Sequence, residues 1–177
     1  MEEIFLIVGL GNPGKDYAAT RHNVGFMVLK CVAKRLGVKW EASKKFNAHL
    51  AKSRQDGNIV FLSKPQGYMN LSGQSVVPLA QYYQIPNRRI MVVVDDLDLP
   101  LGAVRMRPGG GSGGHRGLDS IQGLLGKDDF PRLRLGIGRP KPNRDVSGFV
   151  LSKFDDSETR LLEKVLVTDV DQTAFGR

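Results

Sequence analysis

The feature that most constrains this chain is an alternation of short apolar, β-branched runs with segments of helical periodicity. Ile4 to Gly9 is an almost wholly apolar run closed by glycine, the pattern of a strand covered on both faces. After a turn-rich stretch, Val24, Val28, Cys31, Val32 and Leu36 recur at helical spacing, and Gly37 supplies a stop. Runs at 58–63 and 89–94 repeat the strand pattern, 104–107 and 133–137 alternate as strands exposed on one side would, and 48–53 is a weaker sixth. Helices are predicted at about 71–83 and 117–125, the first bent by Pro78, and Asp155 with Glu158 forms a capping box for a last helix. A chain patterned in this way is α/β: a single three-layer domain over 1–177, with a mixed, mostly parallel twisted sheet flanked by helices. Loops after strand C-termini form the ligand crevice of such folds, which directs attention to the residues following Gly9, Ser63 and Val94.

Charge indicates what the crevice faces. Lys and Arg total 26 against 18 for Asp and Glu, a net charge of +8 in 177 residues, which favours a polyanionic partner and nucleic acid first. A basic surface kept for solubility is the alternative. The one cysteine, Cys31, falls on the apolar stripe of the first helix, so it is expected to be buried, and no disulfide can form within the chain. The start of the chain lacks the basic flank and cleavage site of a signal peptide, and no apolar run approaches membrane-spanning length. The expected compartment is the cytoplasm.

Three motifs point elsewhere and lack their context. Gly9 to Gly14 matches the dinucleotide fingerprint G-x-G-x-x-G, but the helix begins about ten residues late, Pro13 removes a backbone donor and no suitably placed acid follows. Gly110 to Gly114 matches the nucleophile elbow G-x-S-x-G; that fold needs an acid and then a histidine downstream, and the last histidine, His115, lies only three residues beyond Ser112. Asp95, Asp96 and Asp98 could mark a magnesium site, yet Leu97, Leu99 and Pro100 interrupt any oxygen-rich ligand loop. No metal and no cofactor are expected.

The residues with convergent chemistry are His22, Asp95, Asn12 and Asn70. His22 precedes the first helix, where the helix dipole disfavours an imidazolium, so a catalytic histidine there needs a carboxylate partner. Asp95 ends the third strong strand and meets His22 if that strand lies beside the first. Such a pair, without a serine or cysteine nucleophile, would activate water; alternatively it merely fixes a loop. Asn12 follows the first strand and Asn70 the next strong one, and uncharged amides suit holding a carbonyl or an oxyanion, although Asn70 could equally be a helix N-cap.

Taken in order, GLGNPG with Tyr17, TRHNVGF, KPQGYMNLSG, VVVDDLDLPLG, GGGSGGHRGL, FPRLRLGIGRP and GFVLSKF resemble the bacterial peptidyl-tRNA hydrolases over roughly Ile4 to Phe154. The resemblance implies cleavage of the ester between a peptide and the 3′ end of tRNA, which recycles tRNA from stalled or aborted translation. By position it implies His22 as the base activating water, Asp95 as its orienting partner, and Asn12 and Asn70 as substrate-holding, oxyanion-stabilising amides. Tyr17 and Met69 resemble pocket walls, with Asn23 a supporting neighbour. Arg105 and Arg107, two apart on a strand, resemble a basic pair gripping tRNA phosphate, and Arg134 matches another tRNA-contacting position. Arg116 departs from the family pattern: it stands where many members carry an asparagine that contacts the acceptor end, and an arginine there suits a phosphate. The resemblance also implies a cytoplasmic monomer with tRNA as its partner and no obligate protein partner. Two rivals remain at this level, a non-catalytic RNA-binding relative and a nucleotide-cofactor enzyme using the first glycine loop.

Overall fold

The strands of the computed structural model assemble as one seven-stranded sheet; residues 1–174 are described, with side chains through 167. The last three positions of the expected 1–177 domain lie outside the described residues. In chain order the strands are β1 (Ile4–Gly9), β2 (Glu41–Ser43), β3 (Ala48–Gln55), β4 (Asn58–Pro65), β5 (Ile90–Asp96), β6 (Val104–Arg107) and β7 (Arg132–Gly136). They lie side by side as β2-β3-β4-β1-β5-β7-β6. The four central strands β4, β1, β5 and β7 run parallel, and antiparallel pairing closes both edges. The sheet is mixed and mostly parallel, as the sequence predicts.

Helices cover both faces. The chain forms α1 (Val24–Leu36), α2 (Ser72–Tyr82), α3 (Arg116–Leu125), α4 (Val146–Val150) and α5 (Asp156–Ala174), with single tight turns at Arg21–Asn23 and Met69–Leu71 preceding α1 and α2. Val24, Val28, Leu29 and Val32 of α1 pack with Leu162, Val165 and Leu166 of α5 on one face. Val76 and Leu79 of α2 join Leu118 and Ile121 of α3 on the other. Gly37 ends α1 with φ of 64°, a left-handed stop that only glycine adopts without strain. Asp155 and Glu158 exchange the two hydrogen bonds of the expected capping box, each 2.8 Å. Pro78 lies inside α2. Cys31 corrects its expectation: it is only half-buried at the margin of the α1 cluster. The helix carries more apolar positions than its buried stripe can hold.

Two glycines bring α1 into backbone contact with the sheet. A Cβ on Gly25 would lie 2.5 Å from Leu10 N and 2.6 Å from Val93 O, and one on Gly9 would lie 2.3 Å from Gly25 O. Gly9 and Gly11 of the fingerprint-like motif therefore serve close packing against α1, Gly14 does not, and α1 starts at Val24 instead of at the loop. Because the three nearest atoms facing Gly25 are all backbone, Gly25→Ala cannot be accommodated by shifting a flexible side chain. It is expected to destabilise the fold by about 1–3 kcal/mol, read as a lower urea midpoint at unchanged m value. Among the described residues no helix is long and apolar enough to cross a membrane.

Candidate active site

The parallel order of β1 and β5 fixes the site. The close seat of α1 holds the Arg21–Asn23 turn over the ends of both strands, and His22 meets Asp95, the penultimate residue of β5. His22 Nδ1 lies 3.0 and 2.9 Å from the two Asp95 oxygens. His115 Nε2 lies 2.8 Å from Asp95 Oδ1, so one carboxylate serves two imidazoles. Burial drives the Asp95 carboxyl up, but the imidazoles of His115 and His22 outweigh it and hold the carboxyl well below the usual carboxylate range.

The hydrogen bonds assign the proton positions. His115 is the N-cap of α3, and its Nδ1 accepts from Gly117 N at 3.1 Å and Leu118 N at 3.4 Å. Its proton is therefore on Nε2, donated to Asp95. The ionised Asp95 can only accept, so His22 donates from Nδ1. His22 Nε2 has no hydrogen-bond partner among the described residues, and in the neutral ring with Nδ1 donating it is the nitrogen that carries the lone pair, beside a crevice of about 520 Å³ that His22 lines.

The same assignments exclude two alternatives. His22, Asp95 and His115 are grouped closely enough to resemble a metal triad. A metal on His115 Nε2 would drive that ring's proton to Nδ1, against two backbone donors, so the donor set does not fit one. Ser112 lines the crevice, but both nitrogens of His115 are committed and cannot activate it; the serine instead accepts from Gly114 N at 3.2 Å.

Asn12 and Asn23 form a second fixed unit. The Asn23 side chain donates to Asn12 O and accepts from Asn12 N, both at 2.8 Å. Asn12 Oδ1 accepts from Met69 N at 2.8 Å, which orients the amide and leaves Nδ2 as a free donor at the crevice. Asn23 is 1% exposed and supports Asn12 from beneath the crevice without lining it. Asn70 lines it with an exposed side chain that bonds to no other described residue. Asn70 is no N-cap, since it sits within the Met69–Leu71 turn. Met69 forms buried lining. Tyr17 does not line the crevice but packs edge-on against Tyr68, which does, with ring centroids 6.3 Å apart.

A cationic edge adjoins this centre. β6 and β7 pair Arg105 with Arg134 and Arg107 with Arg132, so four guanidinium groups share one sheet face. Arg132 and Arg134 correct the expectation of an exposed strand face. Arg132 is 1% exposed and holds Gly111 O at 3.0 Å and Asp128 O at 3.2 Å, tying down the glycine loop that leads to His115. Burial lowers its pKa, Asp128 opposes this, and Arg107 and Arg134 lower it further. Arg134 pairs with Asp96 at 3.1 Å. Arg107, Arg134 and the exposed Arg116, first residue of α3, line the crevice, whereas Arg105 lies outside it.

Sequence reasoning weighs His115 only as an ill-placed triad partner and misses its bond to Asp95. A histidine immediately before a helix and just after a glycine loop is the available signal. It also misses Arg132 and the crevice wall contributed by α4.

Fold and site together are those of a single-domain α/β enzyme of the hydrolase class. Residues 6–175 match the sequence profile of the peptidyl-tRNA hydrolase family, and the chain belongs to that family. A peptidyl-tRNA hydrolase of Mycobacterium avium is 50% identical over 158 residues, covering 89% of this chain and 83% of the relative. One from Rickettsia bellii is 44% identical over 168 residues, covering 94% and 90%. The crystal structure of peptidyl-tRNA hydrolase from Acinetobacter baumannii matches with a TM-score of 0.90 at 41% identity, over 97% of this chain and 87% of that one.

Proposed function

We propose that this chain hydrolyses the ester joining a peptide, or an N-blocked amino acid, to the 3′ end of tRNA, with His22 as general base oriented by Asp95. The observation that carries this reading is the open Nε2 of His22, whose Nδ1 is held at 2.9 Å by a carboxylate that His115 anchors from the other side. A water between Nε2 and the ester carbonyl loses its proton to His22 as its oxygen attacks the carbonyl carbon. Asn12 Nδ2 and the Asn70 amide donate to the oxygen that becomes negative. Collapse expels the terminal ribose oxygen, which takes the proton back from His22, leaving a free peptide carboxyl and an intact tRNA. No metal, cofactor or covalent intermediate takes part.

The substrate divides between two walls. The arginine edge with the glycine loop suits the acceptor-stem phosphates, and Arg116 suits a phosphate near the scissile end. The half-buried and exposed apolar residues Val146, Val150 and Leu151 suit the peptide. Recycling of tRNA from stalled or aborted translation, action as a cytoplasmic monomer without an obligate protein partner, and one catalytic domain over the whole chain belong to the same proposal.

The deciding experiment is hydrolysis of N-acetyl-aminoacyl-tRNA beside the free aminoacyl-tRNA. Release of tRNA from the blocked substrate supports the reading, and its absence ends it. Arg105→Ala with Arg107→Ala is expected to weaken binding and to flatten the log-affinity against log-salt slope by about 1.4 to 1.8, two phosphate contacts' worth. An unchanged slope would take both residues out of the RNA site.

A further inference from the structure

Arg21, next to the proposed base, turns away from the crevice and binds there through its backbone N and both terminal guanidinium nitrogens. It is 8% exposed. Its backbone N donates to Ser152 O at 3.0 Å, its guanidinium donates to Lys153 O at 2.7 Å, and both oxygens of Glu158 accept from Nη2 at 2.9 and 3.1 Å. The charge lies 4.4 Å from the Phe149 ring centroid and 5.3 Å from that of Phe154. One side chain thus fastens the end of α4, the turn after it and the start of α5.

The segment's other ties to this turn are backbone ones: Thr20 bridges Lys153, and Phe154 N donates to Ala19 O at 3.4 Å. No residue of α4 is buried, and residues 141–148 are all exposed, so apolar packing contributes little to its position. The element it chiefly touches is the Arg21–Asn23 turn. Yet Val146, Ser147, Val150 and Leu151 of this strap line the crevice opposite the glycine loop and arginines.

We infer that Arg21 is a positioning residue that seats the α4 wall relative to His22 and thereby sets affinity for the peptide part of the substrate. This inference rests on the hydrolase reading above. Consecutive residues of one tight turn face opposite ways, His22 to Asp95 and Arg21 to the strap, so the peptide-facing wall is registered against the base by a single turn of backbone. Nη2 binds both Glu158 oxygens while Nη1 holds Lys153 O, and the single ammonium of a lysine cannot take both places at once.

The test compares Arg21→Met, Arg21→Lys and Phe149→Leu with the unaltered enzyme on two substrates, N-acetyl-aminoacyl-tRNA and an N-acetyl-tripeptidyl-tRNA. Arg21→Met is expected to raise KM for the tripeptidyl substrate about tenfold more than for the one-residue substrate. The pH profile of kcat and the affinity for deacylated tRNA stay unchanged, and Arg21→Lys recovers only part of the difference. Phe149→Leu loosens the strap from its half-buried side without removing the charge, and shows the same selective rise at smaller size even if Arg21→Met does not fold. Equal KM changes on both substrates, a displaced pH profile with KM intact, or weakened binding of deacylated tRNA would each overturn the inference. An unaltered enzyme inactive on both substrates would instead sink the hydrolase reading itself.

Discussion

His22→Ala is expected to lower kcat on N-acetyl-aminoacyl-tRNA by roughly 10²- to 10⁴-fold, the usual contribution of one positioned base, while affinity for deacylated tRNA stays nearly the same. The ring is only 12% exposed at its side chain, and among the described residues its one hydrogen-bond partner is Asp95, so its loss removes the proton acceptor without disturbing the cationic edge. Single-turnover rates with saturating enzyme, set beside a tRNA-binding isotherm, separate the two effects. A variant that keeps a rate within about threefold of the unaltered enzyme would remove His22 from the chemistry.

Asp95→Asn is expected to cost roughly 10³- to 10⁴-fold in kcat through proton placement with little change in shape. The His115 proton on Nε2 needs an acceptor, so the new amide turns its oxygen to His115 and its NH₂ toward His22. His22 Nδ1 then has to accept, its proton moves to Nε2, and the atom facing the crevice becomes a donor where a base is required. Because the native carboxyl is held well below the ordinary carboxylate range, it is ionised wherever an ordinary carboxyl is. The sign follows: folding stability contributed by Asp95 is present above the unfolded carboxyl value and is lost only as pH falls toward the depressed folded one. The fall in kcat should therefore persist at every pH tested between about 5 and 9. Recovery of the asparagine variant at high pH would show that Asp95 acts through its charge alone and not by fixing the ring.

Much of the fold is written in local pattern. β1, β4 and β5 are apolar runs because parallel central strands are covered on both faces, and α1 shows its stripe and its glycine stop in one short stretch. β2 escapes notice because its three residues are largely exposed and carry no apolar alternation. α4 escapes because five residues with none buried have no periodicity to detect. The burial of Arg132 is hidden for the opposite reason: an alternating strand next to a glycine loop reads as half-solvated until the loop is seen folded over it.

For the site, the pairing of His22 with Asp95 is legible because it needs only one adjacency, β5 beside β1. The contact between Asp95 and His115 needs the glycine loop and α3 to return over β5, which no spacing reveals. Asn23 is expected as a supporting neighbour, but only the backbone path of Asn12 shows which atoms its amide holds.

The pairing of β6 with β7 has a consequence for energetics. Hydrogen-bonded strands prevent Arg105, Arg107, Arg132 and Arg134 from drifting apart, and burial strips most of the water from one of them. The protein thus carries a mutual repulsion that Asp96, paired with Arg134, and Asp128, near Arg132, offset only in part. A polyanion arriving at that edge is drawn by more than its own attraction, because seating it also quiets a quarrel among the cations that the sheet imposes.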